Sequence, residues 1–146
     1  MSPSGEPHAR GLPEILFLCV HNAGRSQMAA AFARKLGGNR VVVHSAGSAP
    51  GESLNPAVVE VMSERGFDIS SEVPTRLTEA MGLSADVIVT MGCGDACPVY
   101  PGKRYVDWEM SDPAGKAIEE IRPIRDDIEA RVNVLISELL ERSVVD

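Results

Sequence analysis

Hydrophobic and polar positions along the chain form short apolar runs separated by stripes at helical spacing. The run 15–18 is continuously apolar and ends at Cys19, which is typical of a strand buried on both faces of a parallel sheet. Similar runs predict strands over 41–44 and 86–91, and a shorter one over 105–106. These runs therefore predict up to four strands.

Apolar residues spaced three and four apart predict the helices between these strands. A helix over 28–36 is ended by two glycines, and a helix over 55–66 begins with an Asn-Pro cap. A short helix is predicted over 75–81 and a long amphipathic one over 121–139, which Pro123 must start or kink. Strands and helices therefore alternate through most of the chain.

Such alternation predicts a single α/β domain of three layers, with a parallel sheet and right-handed crossovers. We assign this domain to residues 14–146 and expect 1–13, which hold Gly, Pro, Ser and His, to be a flexible tail. Ligands of such sheets bind beyond the carboxyl ends of the strands. Cys19 and Cys93 both fall there.

Composition narrows the classes of function. The length of 146 residues suits one domain, and the net charge of −7 argues against binding to nucleic acid. No apolar run approaches the roughly 18 residues of a membrane span, and the first residues lack the apolar core of a signal peptide. A soluble cytoplasmic protein without nucleic-acid or membrane partners is expected. The odd number of cysteines, 3, predicts free thiols rather than a disulfide framework.

The loop after the first strand carries the candidate chemistry. Its backbone N–H groups and the start of the next helix can surround a tetrahedral oxyanion, which Arg25 can hold with two parallel hydrogen bonds. The same field stabilises a thiolate, so Cys19 is the predicted nucleophile, with Ser26 placed to donate a hydrogen bond to it. Gly24 allows a positive φ or a close backbone approach. The predicted oxyanion-binding residues are His21, Asn22, Ala23, Gly24, Arg25 and Ser26.

Less specific interpretations of this loop stay open. Cys19 also fits a buried cysteine at a strand end beside a surface arginine, since cysteine often packs as a small apolar residue. His21 is better explained as a loop side chain than as a general base.

The segment from Cys19 to Ser26 resembles the low-molecular-weight protein tyrosine phosphatase fold and, within it, the arsenate reductases coupled to thioredoxin or to a low-molecular-weight thiol. Further support comes from Ser45-Ala46-Gly47 after the second strand, from Asp112-Pro113-Ala114-Gly115 and from the additional cysteines. The resemblance runs from residue 15 to the last helix. It implies a four-stranded parallel sheet in the order 2-1-3-4 with helices on both faces.

The resemblance also implies roles for three residues. Cys19 attacks the oxyanion, Arg25 binds it, and Asp112 protonates the leaving oxygen. From the residues alone, Asp112 before a proline would be assigned to a turn or a helix cap.

Two departures from the phosphatase pattern favour the reductases. Gln27 stands where the phosphatases usually have proline, and Ala114-Gly115 stand where they have tyrosines. Tyr100 and Tyr105, the tyrosines of the chain, are both far from Asp112 in sequence and offer little wall for an aryl phosphate.

Cys93 and Cys97 suit a thiol relay, because reducing arsenate needs two electrons that a dithiol supplies. In the implied strand order, Cys93 follows the strand beside the one that ends at Cys19. Zinc binding and buried structural cysteines are the alternatives. The spacing of the two later cysteines is shorter than in the best-known members. The family's potassium ion is not carried over, because Ala30 replaces the acidic residue that binds it. No metal and no cofactor are predicted.

The leading hypothesis is an arsenate reductase for arsenic detoxification. Cys19 attacks arsenate (phosphate and sulfate are analogues), Cys93 forms a disulfide with Cys19, and Cys97 resolves it. Thioredoxin or a mycothiol/mycoredoxin system would be the reductant. The alternatives are a phosphomonoester phosphatase using Cys19, Arg25 and Asp112, and a non-catalytic anion-binding or redox-sensing module.

Overall fold

A computed structural model describes residues 11–92 and 99–145 of the chain, with side chains as far as Glu141. Most of the predicted tail 1–13 lies outside the described residues, as do Cys93 and Cys97. At the described end of the tail, the carbonyl of Pro13 accepts the N–H of Val42 at 2.9 Å. Pairing between the first two strands therefore extends to the residue before the first strand.

Parallel strands form the centre of the fold. They are β1 (Glu14–Cys19), β2 (Val42–Gly47), β3 (Val87–Thr90) and β4 (Arg104–Asp107). Their order in the sheet is β2-β1-β3-β4, which confirms the order 2-1-3-4. β1 is central, with Cys19 opposite Gly47 of β2 and Leu18 opposite Thr90 of β3. Because the chain crosses first to one side of β1 and then to the other, the switch point in strand order lies at the carboxyl end of β1.

Helices cover both faces of this sheet, as predicted. They are α1 (Arg25–Gly37), α2 (Pro56–Glu64), α3 (Glu79–Ser84) and α4 (Ile118–Val145), with a 3-10 turn at Gly38–Arg40. Ile15 and Phe17 of β1 pack into a core formed with α1, α2 and α4, whereas Leu16 and Leu18 pack into a second core beside α3. Alternate side chains of one buried strand thus fill two cores, which gives the three layers.

The second strand runs further than predicted. β2 ends at Gly47 rather than at residue 44, so Ser45-Ala46-Gly47 lie within the strand and not after it. The N–H of Gly47 donates to the carbonyl of Thr75 at 2.8 Å, and its carbonyl accepts the N–H of Leu77 at 3.0 Å. This distant partner, which local sequence does not reveal, extends the pairing of β2.

The same pairing corrects the predicted helix over 75–81. Residues 75–77 are engaged with Gly47, so α3 begins at Glu79. The hydroxyl of Thr78 accepts the N–H of Met81 at 3.2 Å and caps the helix. The helix therefore exists but starts later than the apolar spacing indicated.

The last helix, in contrast, begins earlier than predicted. α4 starts at Ile118, and Pro123 lies inside it rather than at its start. The carboxylate of Glu120 accepts the N–H of Ala117 at 2.9 Å, a capping contact that stabilises the first turn ahead of the proline. Among the described residues, no helix has both the length and the apolar character required to cross a membrane.

Candidate active site

The loop 20–24 joins β1 to α1 at the switch point of the sheet. Cys19 ends β1 and is 2% exposed, and Arg25 begins α1 and is 6% exposed. The first N–H groups of a helix carry partial positive charge and have no partners within the helix. This turn from strand to helix therefore directs positive charge at the region beside the thiol, as the motif predicts.

Two groups contact the sulfur of Cys19. Its Sγ accepts the backbone N–H of Asn22 at 3.2 Å and lies 2.9 Å from Oγ of Ser26. Nδ2 of Asn22 donates to that same Oγ at 2.6 Å. Because an amide nitrogen can only donate, the hydroxyl proton of Ser26 is free to point at the sulfur. Both contacts place hydrogen-bond donors where a thiolate sulfur can accept them.

Asn22 adopts an unusual backbone conformation that aims its N–H at the sulfur. Its φ is 52°, in the left-handed region that asparagine tolerates better than most residues. Its Oδ1 accepts the N–H of Thr75 at 2.8 Å. The buried side chain therefore anchors the loop to the segment that pairs with β2, while its backbone faces Cys19.

Gln27 supports this arrangement and was not predicted as a site residue. Its Nε2 donates to the backbone carbonyl and to Oδ1 of Asn22, both at 3.1 Å. Gln27 is 2% exposed, although the apolar stripe of Met28, Ala29, Phe32 and Ala33 puts it on the opposite side of α1. Helical spacing therefore gave no signal for this contact.

Two glycines, Gly24 and Gly47, let the loop 20–24, the end of β2 and the segment at Pro113 approach one another closely. A Cβ on Gly24 would lie 2.8 Å from Cγ of Pro113, and a Cβ on Gly47 would lie 2.5 Å from the carbonyl oxygen of Val20. Gly24 has a φ of −147°, so it serves close approach and not a positive φ. The positive φ of the loop belongs to Asn22 instead.

Asp112 lies beside the guanidinium of Arg25. Its Oδ2 is 3.5 Å from Nη2 of Arg25, and its side chain is 46% exposed. Its Oδ1 accepts the N–H of Ala114 at 3.0 Å, which is the turn contact expected of aspartate before proline. The turn and the placement beside Arg25 therefore coexist in this structure.

Cys19, Arg25 and Asp112 all line one cavity, which has a volume of about 190 Å³. Of the predicted site residues, Asn22 and Ser26 lie behind its surface, where they hold the loop and the thiol. None of the lining residues is phenylalanine, tyrosine or tryptophan. The described part of the cavity therefore suits a small oxyanion better than an aryl ester. The lining residues are Cys19, His21, Ala23, Gly24, Arg25, Gly51, Asn55, Asp112, Pro113 and Ala114.

Asn55 links two sides of the cavity, although the sequence indicated only a helix cap. It is that cap, since its Oδ1 accepts the N–H of Ala57 at 3.0 Å. Its backbone N–H also donates to the carbonyl of Ala23 at 3.0 Å, and its Nδ2 donates to that of Pro113 at 3.4 Å. An Asn-Pro helix start beyond a parallel strand was the signal that this helix end borders the site.

The predicted relay cysteines cannot be compared with this geometry, because Cys93 and Cys97 lie outside the described residues. β3 leads toward Cys93 and is the strand next to β1. Across the described ranges, no cluster of three His, Cys, Asp or Glu side chains is suited to holding a metal ion.

The sequence profile of the family described as low molecular weight phosphotyrosine protein phosphatase matches residues 14–145. The match includes the loop, Arg25 and Asp112. The chain therefore belongs to the low-molecular-weight phosphotyrosine protein phosphatase family.

Within that family the chain is similar to arsenate reductases. It is 40% identical to a putative arsenate reductase of Halobacterium salinarum, over 84% of this chain and 89% of that protein. It is 30% identical to a glutaredoxin arsenate reductase of a Synechocystis species, over 88% of this chain and 99% of the relative.

The chain is also similar to a solved structure of an arsenate reductase. A thioredoxin-dependent arsenate reductase of Corynebacterium glutamicum superimposes with a TM-score of 0.80 at 43% identity. The match covers 92% of this chain and 65% of that one, so the chain spans about two thirds of that protein.

Proposed function

We propose that this chain is an arsenate reductase with Cys19 as its nucleophile. The observation that carries the proposal is the placement of Sγ of Cys19, which contacts Ser26 and the N–H of Asn22 at the base of a small cavity. Arg25 lines the same cavity. A thiolate facing an oxyanion site is what attack on arsenate requires.

The first half of the reaction uses the described residues. The loop backbone at His21, Ala23 and Gly24 and the guanidinium of Arg25 hold the arsenate oxygens. The Cys19 thiolate attacks arsenic and forms a sulfur–arsenic bond, while one oxygen leaves as water. Asp112, which lies beside Arg25, supplies a proton to that oxygen.

The second half transfers two electrons. The thiolate of Cys93 attacks Sγ of Cys19, the sulfur–arsenic bond breaks, and its electron pair stays on arsenic. Arsenic passes from the pentavalent to the trivalent state and leaves as arsenite, while Cys19 and Cys93 form a disulfide. Cys97 then attacks Cys93, which frees Cys19 and leaves a Cys93–Cys97 disulfide. Adjacent parallel strands lie about 4.8 Å apart, which supports an encounter between residues that follow β1 and β3.

A small thiol–disulfide protein of the thioredoxin type would regenerate the enzyme. This choice is supported by the names of the relatives, which are thioredoxin-dependent in one case and glutaredoxin-linked in another. Mycothiol with mycoredoxin is the alternative reductant. We place the reaction in the cytoplasm, where such systems keep thiols reduced, and assign it to arsenic detoxification.

Phosphomonoester hydrolysis is the second candidate, because it would use the same Cys19, Arg25 and Asp112. The contact between Arg25 and Asp112 favours it as a weak additional activity. The lack of an aromatic wall among the described lining residues argues against an aryl phosphate as the main substrate.

One experiment separates these functions. Arsenite release with thioredoxin and its reductase is compared with phosphate release from p-nitrophenyl phosphate, and the mycothiol system is tested in parallel. We expect repeated arsenite turnover, slow phosphate release, and loss of both in Cys19→Ser. Fast phosphate release without arsenite would favour the phosphatase, and the absence of both activities would favour a non-catalytic module.

A further inference from the structure

Gly92 lies against the guanidinium of Arg25. It comes two residues after β3 ends and has a φ of +91°, which L side chains rarely adopt. A Cβ at this position would overlap Nη1 of Arg25 and lie 3.3 Å from Cζ. Only a residue without a side chain leaves the arginine fork where it is.

The fork of Arg25 is therefore bounded at both ends. Nη2 lies 3.5 Å from Oδ2 of Asp112, and Nη1 lies beside the backbone of Gly92. Arg25 is almost entirely buried, and these two contacts set the direction in which its guanidinium points. Bidentate hydrogen bonding to an oxyanion depends on the direction of the fork as well as on its charge.

We propose that Gly92 is a positioning residue for Arg25, which sets the direction of the guanidinium toward the oxyanion site. The inference deepens the proposed function, and it depends on that function only in requiring that the cavity bind an oxyanion. Gly92 acts through Arg25 and does not touch the substrate.

The geometry indicates what an alanine at this position would change. The atom that its Cβ meets first is the end of a flexible side chain and not backbone. The guanidinium would therefore move while the fold remained intact. A separate strain comes from placing any side chain at this φ.

Two other glycines allow the effect of backbone strain to be measured by itself. Gly66 has a φ of +85° and Gly102 a φ of +82°, and neither has an atom within 4 Å of an added Cβ. Gly66→Ala and Gly102→Ala therefore carry the backbone strain without the overlap. They are the matched controls for Gly92→Ala.

The test measures binding of inorganic phosphate to the reduced full-length chain by calorimetry. We expect Gly92→Ala to bind phosphate about tenfold more weakly, as for a lost or misdirected charged hydrogen bond, and both controls to stay within about twofold of wild type. With p-nitrophenyl phosphate the change should appear in KM more than in kcat. Unchanged phosphate affinity in Gly92→Ala would overturn the proposal.

A double variant tests whether the effect passes through Arg25. Arg25→Lys removes the atom that the new Cβ would meet, so Gly92→Ala should change phosphate binding little in that background. Additive losses would contradict the inference. So would a thermal midpoint for Gly92→Ala well below those of both controls, because the backbone rather than the guanidinium would then have moved.

Arsenite production is measured separately on the same proteins. A wild type that binds phosphate but produces no arsenite refutes the proposed function and leaves the Gly92 test in force. A Gly92→Ala variant that binds phosphate as well as wild type refutes the present inference and leaves arsenate reduction standing.

Discussion

Oγ of Ser26 lies 2.9 Å from Sγ of Cys19, while the same oxygen accepts a hydrogen bond from Nδ2 of Asn22. The amide occupies one acceptor position of the hydroxyl, which leaves the proton of Ser26 free to point at the sulfur. A hydroxyl in this position is placed to donate to a thiolate. Reactivity of Cys19 should therefore depend on Ser26.

The first prediction concerns that contact. In a Cys93→Ser/Cys97→Ser background, Cys19 is the remaining thiol, and its alkylation by iodoacetamide reports on the thiolate. Ser26→Ala should slow alkylation at pH 6 by about tenfold, since a hydrogen bond to a charged group is lost. The exposed Ser137→Ala on α4 is the control. Equal alkylation rates for Ser26→Ala and wild type would show that the hydroxyl does not stabilise the thiolate.

The second prediction concerns the arginine fork. Arg25→Lys keeps the charge but loses bidentate geometry, so phosphate affinity should fall by about tenfold. Calorimetry on the reduced protein measures this. Arg131→Lys is the matched control, because Arg131 pairs with Asp127 on the surface of α4. Phosphate binding by Arg25→Lys equal to that of wild type would mean that the fork does not hold the anion.

The third prediction separates the two contributions of Asn22. In Asn22→Gly the side chain is lost but the backbone still tolerates a φ of 52°. In Asn22→Ala both the side chain and that tolerance are lost. Asn22→Gly should lose about 1–3 kcal/mol of unfolding free energy, because buried partners such as the Thr75 N–H are left unsatisfied. Asn22→Ala should lose about 1–2 kcal/mol more through left-handed strain. Urea denaturation measures both, and equal stabilities would contradict the role of the backbone conformation.

The fourth prediction concerns the thiol relay. Cys97→Ser should release about one arsenite per enzyme and then stop with a Cys19–Cys93 disulfide, because Cys97 is needed only to free Cys19. Cys93→Ser should stop before arsenite leaves. Neither variant should change hydrolysis of p-nitrophenyl phosphate much. Peptide mapping by mass spectrometry after one turnover identifies the disulfides, and repeated turnover of Cys97→Ser with thioredoxin would exclude the three-thiol relay.

The fifth prediction concerns the contact between α2 and α4. Hydrogen bonds from Arg122 and Arg125 lower the pKa of Glu64 to about 2 from its ordinary 4.5. A carboxylate with a lowered pKa stabilises the folded state above its unfolded pKa and loses that effect as the pH falls toward the folded value. Glu64→Gln should therefore be less stable than wild type at pH 7, with the difference shrinking between pH 4.5 and pH 2.

Thermal unfolding across this pH range tests the fifth prediction. The control is Glu109→Gln at an exposed position, which should show a smaller difference at pH 7. A stability gap between Glu64→Gln and wild type that does not change with pH would rule out the charged pairing as its cause.

Much of this protein was determined by the sequence alone, because the relevant signals are local. The apolar run of β1, the stripe of α1 and the Asn-Pro start of α2 each depend on neighbouring residues, and all three elements are present. The loop that carries Cys19 and Arg25 is likewise contiguous, so its chemistry is visible in eight adjacent residues. These local signals did not predict the order of the strands, which came from the resemblance to a known family.

Tertiary structure alone decided which distant groups complete the site. Asn22 reaches Thr75 across 53 residues of sequence, and this contact depends on a segment whose pairing with Gly47 also shifted the start of α3. Gly92 meets Arg25 because β3 lies beside β1. Contacts of this kind arise from how the crossovers pack strands side by side, which no local periodicity encodes. The motif supplied the thiol and the arginine, and packing determined the contacts that hold them.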